Sequence, residues 1–205
     1  MIEEKVFIFG SGGHTRSLTS LLCDQKIYIS GIYDNSFDPG NKEFINSIEL
    51  LGSITNYKEN AKIILSIGDN LNRKEMYLKY SSDLYLETVI HSRSFVDESA
   101  QVGKANFVFA NSIINAKVVL KDNNIINTAA IIEHEVEIGS HNHISVGSIL
   151  CGRVKIGDCC FIGAGSVIND KISICNNVTI GSNSTVIKSI EIPGIYAGNP
   201  VRKIG

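Results

Sequence analysis

Two adjacent residues, His134 and Glu135, have the side chains best suited to chemistry in this sequence. A carboxylate beside an imidazole can hold the ring in one tautomer, so that the other ring nitrogen can accept a proton near neutral pH. Proton transfer is therefore the chemistry that this pair could carry out. The plainer alternative is that His134 is a polar surface residue and that Glu135 belongs to a solvated ion pair.

A second candidate is the glycine-rich turn Gly10-Ser-Gly-Gly13, which is followed by His14. Backbone N–H groups in such a turn, at the start of a helix, can approach the phosphates of a nucleotide or a sugar nucleotide. A full dinucleotide fingerprint would have glycine at position 15, where this chain has Thr15, so nicotinamide chemistry is disfavoured. The plainer alternative is a turn that only links a strand to a helix.

Cysteine and metal chemistry are weaker candidates. Cys151 could be a nucleophile, but the sequence supplies no activating partner for it, and a small packed residue is the better interpretation. Three histidines, His134, His141 and His143, invite comparison with zinc-dependent hydration of carbon dioxide, but their spacing lacks the usual H-x₄-H, and we expect no metal. The odd number of cysteines and the lack of a C-x-x-C pair favour buried, reduced thiols: Cys23, Cys151, Cys159, Cys160 and Cys175.

Composition narrows the range of partners. The 205 residues are 43% hydrophobic and 20% charged, which fits a folded protein and excludes a disordered chain or a coiled coil. A formal net charge of −2 gives no field that would attract nucleic acid or an anionic membrane. Apolar runs are short and the sequence does not open with an apolar leader, so we expect no membrane span and a cytoplasmic location.

The second half of the chain repeats with a strict period of six. Neither a helix, with its period of 3.6, nor a strand, with its period of 2, explains such a repeat. A triangular coil of three hexapeptides does, and it places each aliphatic residue inside the coil above the one eighteen residues earlier, over about six turns. The consecutive aliphatic positions are Ile90, Val96, Val102, Val108, Ile114, Leu120, Ile126, Ile132, Ile138, Ile144, Leu150, Ile156, Ile162, Ile168, Ile174, Ile180, Val186 and Ile192.

Smaller residues accompany this repeat. Two positions before each inward aliphatic residue, small or β-branched residues such as Ala130, Val136 and Cys160 would form a second inward site. Glycine or asparagine directly follows the inward residue at eight positions, where we expect left-handed corners. These positions are Gly103, Asn115, Asn127, Gly139, Gly157, Gly163, Asn169 and Gly181.

The repeat also predicts the surroundings of the histidine. Residues eighteen apart stack, so His134 should lie between Ala116 and Gly152, which leave room for its ring. By the same arithmetic, Glu135 lies between a lysine and an arginine, Lys117 and Arg153, which would keep its carboxylate ionised.

The first ninety residues alternate strands and helices. Such alternation implies a parallel sheet, whose ligands bind beyond the carboxyl ends of its strands. The turns at residues 10–14, at Asp34-Asn35 and at residues 68–70 would converge there. The predicted strands are residues 5–9, 27–33, 63–67 and 84–89, and the predicted helices are residues 14–23 and 70–80.

Three segments together resemble the sugar O-acyltransferase family, which contains sialic acid O-acetyltransferases and N-acetyltransferases of nucleotide-linked 4-amino sugars. The segments are FIFGSGGH at residues 7–14, NTAAIIEHE at residues 127–135 and HISVG at residues 143–147. The tail GIYAGNPVRKI resembles the segment that closes the β-helix in the wider superfamily. The resemblance implies a Rossmann-like α/β half-domain at residues 1–89 that binds a nucleotide sugar. It also implies a left-handed parallel β-helix of hexapeptide repeats at residues 90–205, with a closing segment, as the acetyltransferase domain.

The reaction that this resemblance implies is transfer of acetyl from acetyl-coenzyme A to the 4-amino group of a UDP-, dTDP- or GDP-linked amino-deoxy sugar. The product would serve surface glycan or glycoprotein biosynthesis. The alternative within the family is O-acetylation of sialic acid or another sugar. The resemblance also implies a homotrimer with active sites between subunits, and no metal. A non-enzymatic sugar-nucleotide-binding solenoid stays open, because a fold does not establish chemistry.

The resemblance implies a role for particular residues. His134 would be the general base, Glu135 its partner and Asn127 a further active-site group. One departure is Thr15, since family members commonly have glycine there, so phosphate contacts could differ. The expected coenzyme A contacts are His143, Gly152, Ala164 and Ser182, and the expected nucleotide-sugar contacts are Gly12, Gly13, His14, Asp34, Asn35 and Gly68.

Overall fold

A computed structural model describes residues 5–58 and 60–205 of the chain. Residues 1–4 of the expected first domain, and residue 59, lie outside the described residues. The chain folds into two compact units, Met1–Leu86 and Glu87–Gly205. Within the described residues, no helix has both the length and the hydrophobicity needed to cross a bilayer.

The N-terminal unit is built on a five-stranded sheet in the order β3-β4-β2-β1-β5. All neighbouring pairs are parallel except the β3–β4 hairpin. The parallel arrangement brings the carboxyl ends of β1, β2, β4 and β5 to one edge of the sheet. The elements are β1 (Val6–Phe9), α1 (Gly13–Asp24), β2 (Ile29–Tyr33), β3 (Phe44–Ile45), β4 (Ile48–Gly52), a 3₁₀ helix (Ile54–Asn56), β5 (Lys62–Leu65) and α2 (Asn70–Lys79).

One expectation for this unit was wrong, and one pair of strands was missed. The β3–β4 hairpin was not predicted, although β4 is a member of the parallel sheet. Residues 84–89 do not form a fourth strand: Leu84 makes a single bridge with Ile63, and Val89 begins the first strand of the next unit. Leu84 therefore belongs to the core of the N-terminal unit, whereas Val89 belongs to the first strand of the next unit.

The C-terminal unit is a left-handed parallel β-helix, as the resemblance implied. Each strand pairs with the strand eighteen residues away, for example Ile114 with Ile132. Its strands are β6 (Val89–Ile90), β7 (Phe95–Val96), β8 (Gln101–Val102), β9 (Phe107–Val108), β10 (Ile113–Ile114), β11 (Val119–Leu120), β12 (Ile125–Ile126), β13 (Ile131–Ile132), β14 (Glu137–Ile138), β15 (His143–Ile144), β16 (Ile149–Leu150), β17 (Lys155–Ile156), β18 (Phe161–Ile162), β19 (Val167–Ile168), β20 (Ser173–Ile174), β21 (Val178–Ile180), β22 (Thr185–Val186), β23 (Gly194–Gly198) and β24 (Val201–Lys203).

Three sheets form the faces of the prism. Face 1 contains β6 and every third strand up to β21, face 2 contains β7 and every third strand up to β22, and face 3 contains β8 and every third strand up to β20. We call the edge between faces 1 and 2 edge A, the edge between faces 2 and 3 edge B, and the edge between faces 3 and 1 edge C. These edges position every candidate residue of the solenoid.

The interior is the predicted stack of aliphatic residues. From Val108 to Val186, the residues at the sixth positions are almost fully buried in one continuous core. Serines at the second inward site satisfy their hydroxyls on the backbone, as Ser148 Oγ does by donating to Gly163 O at 2.9 Å. A serine can therefore be buried at this position without leaving its hydroxyl unpaired.

The expected cause of the glycine and asparagine positions was wrong. The left-handed conformation occurs three residues after the inward residue, at non-glycine positions such as Ala129, Glu135 and Arg153, rather than directly after it. The glycines that directly follow are required by crowding between coils. A Cβ on Gly163 would lie 2.5 Å from the backbone nitrogen of Ser182, which belongs to the next coil.

The repeat ends before its last expected member. Ile192 is 62% exposed, whereas Ile190 is buried and bridges Ile174, sixteen residues away. The last coil is two residues shorter than the others, so the inward position shifts from 192 to 190. The closing segment then pairs β23 in parallel with β21 and folds back through β24.

Candidate active site

His134 lies on edge B with its side chain 48% exposed. Its Nδ1 is 3.1 Å from Glu135 Oε2, and its backbone N–H donates to Glu133 Oε2 at 3.3 Å. Since an ionised carboxylate can only accept a hydrogen bond, Nδ1 bears the hydrogen in this contact. Nε2 is then the ring nitrogen that can take up a proton.

The coils above and below leave room for this ring. Glu135 N donates to Ala116 O at 2.9 Å and Arg153 N donates to His134 O at 3.0 Å, which is the stacking that the eighteen-residue spacing predicts. A Cβ on Gly152 would lie 2.7 Å from both Cε1 and Nε2 of the ring. Glycine is therefore the residue type that permits this position of the imidazole.

The expected charge ladder around Glu135 differs from the structure. Arg153 forms its ion pair with Asp170, with Nη2 3.1 Å from Oδ1, rather than with Glu135. Asp170 lies in the next coil, and the guanidinium turns toward it. The carboxylate of Glu135 instead accepts a hydrogen bond from Nδ1 of the His134 imidazole.

A second group of candidate residues lies along edge A. Asn127 Nδ2 is 3.1 Å from Nε2 of the buried His143, whose ring packs edge-on against Phe161 with centroids 5.1 Å apart. Ala164 and Ser182 follow β18 and β21 and therefore lie at the same edge. Asn127, His143, Ala164 and Ser182 form one row beside face 1, and we call this row the edge A group.

The candidate residues of one chain are thus divided between two edges. The segment that contains β13 runs from Asn127 at edge A to His134 at edge B, with face 2 between them. Gly152, expected among the coenzyme A contacts, lies beside His134 and not with the edge A group. Sequence order alone hides this separation, because Asn127 and His134 are only seven residues apart.

The third zinc candidate lies elsewhere again. His141 belongs to edge C, where its Nδ1 is 2.7 Å from Nδ2 of Asn123. His134, His141 and His143 are therefore on different edges or faces of the prism and do not converge on one point. Among the described residues of one chain, no group of three or more histidine, cysteine, aspartate or glutamate side chains could hold a metal ion.

The expected burial of the cysteines holds for Cys159 and Cys160, whereas Cys151 and Cys175 are partly exposed and Cys23 is exposed, so for Cys23 the expectation was wrong. Burial raises the pKa of Cys151, and the nearby carboxylates of Glu133 and Asp170 raise it further. Burial also raises the pKa of Cys160 to about 12, and its Sγ lies 3.1 Å from Cys175 O. A thiol that stays protonated is a poor nucleophile, which agrees with the packing interpretation.

In the N-terminal unit, the glycine loop lies at the carboxyl ends of the strands. Gly12, Gly13 and Gly68 each have open space where a side chain would be, with no atom within 4 Å of an added Cβ. Gly10 has a φ of +113°, and a Cβ there would collide with Ser66 O. The loop after β1 and the loop after β5 therefore meet, as the parallel sheet predicts, and present bare backbone.

Asp34 and Asn35 support this loop. Asp34 Oδ2 accepts a hydrogen bond from Ser11 N at 2.6 Å, and its Oδ1 accepts from Ser36 N at 2.8 Å. Burial opposes ionisation of this carboxyl, but the hydrogen bonds from Ser36 and Ser11 outweigh it and lower the pKa of Asp34. Asn35 Oδ1 accepts from Ser53 Oγ at 3.0 Å.

Thr15 acts from inside the loop. It is fully buried, and its Oγ1 donates to Gly10 O at 2.9 Å while accepting from Ser66 Oγ at the same distance. The hydroxyl thus joins the loop after β1 to the loop after β5. Its hydroxyl is therefore engaged by the protein itself, and whether phosphate contacts differ because of Thr15 stays a prediction.

Sequence reasoning missed a buried cation beside the loop. Arg73 in α2 is fully buried, and it donates to Ile67 O at 3.0 Å and to Asn70 Oδ1 at 2.7 Å. Burial, and secondly the charge of Arg73, lower the pKa of His14 from 6.5 to about 4. His14 is therefore neutral at physiological pH. No periodicity in the sequence marks an arginine for burial, so only the structure reveals this group.

Two family models match the chain. Residues 5–80 match the PglD N-terminal domain, and residues 153–188 match the bacterial transferase hexapeptide (six repeats). Among curated proteins, uncharacterized protein L142 of Acanthamoeba polyphaga mimivirus is 35% identical over 120 residues. That match covers 57% of this chain, and the chain spans about a quarter of the length of that relative (24%).

Solved structures match almost the whole chain. The acetyltransferase domain of PglB from Neisseria gonorrhoeae, in complex with acetyl coenzyme A, is 26% identical, with a TM-score of 0.87 over 98% of this chain and 99% of that chain. PerB from Caulobacter crescentus, in complex with CoA and GDP-perosamine, is 24% identical, with a TM-score of 0.88 over 99% and 98%. WeeI from Acinetobacter baumannii has a TM-score of 0.80 at 16% identity, over 97% and 99%. The chain is therefore similar to the PglD N-terminal domain over residues 5–80 and to the bacterial transferase hexapeptide repeats over residues 153–188.

Proposed function

We propose that this protein transfers an acetyl group from acetyl-coenzyme A to the 4-amino group of a nucleotide-linked amino-deoxy sugar. The observation that carries the proposal is the His134 imidazole, held by Glu135 over the bare backbone of Gly152. The PglB acetyltransferase domain, similar along its whole length, was solved with acetyl coenzyme A. A perosamine N-acetyltransferase of the same fold was solved with CoA and GDP-perosamine.

The reaction needs one base and no covalent enzyme intermediate. The amine lone pair attacks the thioester carbon, a C–N bond forms, and Nε2 of His134 takes the proton that the nitrogen loses. The C–S bond then breaks, and the coenzyme A sulfur leaves and takes up a proton. A positioned base of this kind contributes roughly 10²–10⁴-fold, and alignment of the two substrates supplies a further part of the rate.

The edge A group fits the arm of acetyl-coenzyme A. Ala164 stands between Gly163 and Gly165, and Ser182 follows Gly181, so this part of the edge carries no bulky side chain. Asn127 and His143, joined at 3.1 Å, can donate to or accept from the thioester carbonyl or the pantetheine amides. We assign the coenzyme A contacts to this edge, with Gly152 on the other side of the reacting centre.

The separation of the two edges favours a homotrimer with sites between subunits. The outward positions of face 2 carry an apolar row, which a second copy would cover: Phe95, Ile113, Ile131, Ile149 and Val167. If one copy sets its edge A beside edge B of the next, Asn127 and His143 of one subunit face His134 of another. Threefold closure would then build three equivalent sites.

The glycine loop is proposed to hold the nucleotide sugar. Gly12, Gly13 and Gly68 let phosphate oxygens approach backbone N–H groups at the start of α1. Neutral His14 can donate one hydrogen bond without carrying a charge. Asp34 and Asn35 directly follow β2, where Asp34 holds the loop and both residues can contact the nucleoside.

The test is an assay of thiol release from acetyl-coenzyme A with UDP-, dTDP- and GDP-linked 4-amino sugars, each beside its 4-hydroxy counterpart and beside free sialic acid. We expect turnover that requires the amino group, with product identified as the amide by mass spectrometry. Turnover on hydroxyl acceptors alone would contradict the proposal and favour an O-acetyltransferase. Binding of nucleotide sugars without any thiol release would favour a non-enzymatic solenoid.

Removal of the proposed base gives a direct prediction. His134→Ala should lower kcat by roughly 10²–10⁴-fold, because no other group takes the proton from the attacking nitrogen. The affinity for acetyl-coenzyme A, measured by calorimetry, should change little, since the edge A group is intact. Full turnover in this variant would reject His134 as the base.

A further inference from the structure

Gly152 leaves a small niche on edge B that two side chains border. A Cβ at this glycine would lie 2.7 Å from His134 Nε2 and 3.2 Å from Asp170 Oδ1. The ring comes from the preceding coil and the carboxylate from the following coil, so the two groups converge from opposite sides. A small polar group resting on the bare backbone of Gly152 can therefore reach both atoms.

Asp170 is fixed in this position as an anion. Arg153 Nη2 donates to both of its oxygens, at 3.1 and 3.3 Å, and Lys171 Nζ lies 3.6 Å from Oδ2. Burial opposes its ionisation, but Arg153 and Lys171 outweigh that effect and lower the pKa of Asp170. At neutral pH the group thus offers hydrogen-bond acceptors only.

The neighbouring carboxylates are already engaged with the histidine itself. Glu135 holds the Nδ1 side of the ring, and Glu133 accepts from the backbone N–H of His134. Asp170 is the carboxylate that faces the Nε2 side, where the proton is taken up. Arg153 Nε also donates to Oδ1, at 3.4 Å, and the side chain of Asp170 is 44% exposed, so its carboxylate stays accessible to a further donor.

We propose that Asp170 is a catalytic residue that accepts an N–H of the sugar amine and thereby selects an amino acceptor over a hydroxyl. The inference rests on the proposed function. An attacking primary amine directs its lone pair at the thioester carbon and has two N–H groups. One of them donates to His134 Nε2 and the other donates to Asp170 Oδ1. A hydroxyl has a single hydrogen, which goes to His134, so Asp170 would face an oxygen lone pair.

Asp170 therefore favours the amine by accepting its N–H and disfavours the hydroxyl by repelling its lone pair. An oxygen lone pair against an ionised carboxylate is unfavourable, and this repulsion discriminates against a hydroxyl acceptor. During transfer, the proton that goes to His134 and the hydrogen retained by the amide nitrogen are then held by two different groups. Asp170 orients the nitrogen, and His134 deprotonates it.

The test compares the wild-type chain with Asp170→Asn, which keeps the shape and places an amide where the anion was. Calorimetry would measure binding of a nucleotide-linked 4-amino sugar and of its 4-hydroxy counterpart, and steady-state kinetics would measure kcat/KM for both. We expect the preference for the amine to fall by at least about tenfold in Asp170→Asn, while the KM for acetyl-coenzyme A stays within about twofold. Glu137→Gln, which removes an exposed carboxylate paired with Lys155 on face 3, is the matched control and should keep the full preference.

An unchanged preference in a folded Asp170→Asn variant would overturn the inference and leave the proposed function intact. Tight, amine-dependent binding to the wild type without thiol release would contradict the proposed function, and its loss in Asp170→Asn would still support the inference. Equal binding of amine and hydroxyl ligands to the wild type would overturn the inference whatever the turnover. Thermal unfolding of each variant separates these outcomes from a loss of fold.

Discussion

At the scale of single residues, the position of the His134 imidazole depends on the lack of a side chain at Gly152. Gly152 gives the ring its place, and Glu135 fixes its tautomer at 3.1 Å. These contacts link consecutive coils, so a change in one coil alters the chemistry of the next. The smallest possible change at position 152 is therefore an informative one.

Gly152→Ala tests that dependence. The added methyl would meet Cε1 and Nε2 at 2.7 Å, so the ring must swing toward solvent and Nε2 must leave its position. We expect kcat to fall by about 10²-fold, the loss that follows a displacement of about 1 Å at a reacting group. Melting temperature should change little, because the half-exposed ring can move.

The control adds one methyl elsewhere. Gly40→Ala, in an exposed loop of the N-terminal unit, should keep full activity. Wild-type kcat in Gly152→Ala, with the ring displaced in its crystal structure, would show that Nε2 is not the atom that takes the proton.

Residue positions were predictable where the repeat determines them. The eighteen-residue spacing correctly predicts Ala116 and Gly152 as the neighbours of His134. It does not predict that Arg153 turns to Asp170 rather than to Glu135, because side-chain direction depends on charges in three successive coils. The burial of Arg73 has no periodic signal at all.

At the scale of elements, Thr15 holds the glycine loop from within, and Arg73 holds the neighbouring loop after β5. His14, at the start of α1, has a pKa lowered from 6.5 to about 4, chiefly by burial and then by Arg73. In the unfolded chain, His14 would bind a proton near pH 6.5, whereas in the folded chain it binds one only near pH 4. The unfolded state therefore gains protons first as the pH falls, and the folded state loses stability between these two values.

A pH series of denaturant unfolding measures this effect. Acidification from pH 7 to pH 4 should cost the wild type about 3 kcal/mol more than it costs His14→Gln, which has no group to titrate there. The comparison cancels the contributions of the carboxylates that both chains share. Parallel curves for the two chains would show that His14 titrates normally in the folded state.

Elements were predictable where one period dominates. The repeat predicts the coils, and it fails at Ile192 because the final coil is shortened by two residues. The β3–β4 hairpin escaped prediction because β3 has only two residues, too few for alternation to be visible. The left-handed corners were misplaced by two residues, since glycine is used here for close approach between coils.

At the scale of the whole molecule, the proposed active site needs two copies of the chain. Edge B carries His134 and edge A carries Asn127 and His143, with face 2 between them. Two inactive variants, one altered on edge A and the other on edge B, should therefore regain activity when they assemble into the same oligomer. This outcome distinguishes a shared site from a site within one chain.

Co-expression of His134→Ala and Asn127→Ala chains should restore about a quarter of wild-type activity. In a random trimer, each site draws edge B and edge A from two different chains, and each edge is intact in about half of them. Mixing His134→Ala with Gly152→Ala chains, both altered on edge B, should restore nothing. No recovery in the first mixture, with hetero-oligomers confirmed by mass spectrometry, would contradict shared sites.

The eighteen-residue coil also has a genetic consequence. A duplication of one whole coil would lengthen the prism and return every later side chain to its original direction. Insertion or deletion of a single residue within a coil would instead shift the six-residue register of all later coils. Aliphatic side chains in those coils would then point to solvent. We therefore expect insertions and deletions in related proteins to come in multiples of one eighteen-residue coil. The number of coils can then differ between relatives while the residues of each edge keep their direction.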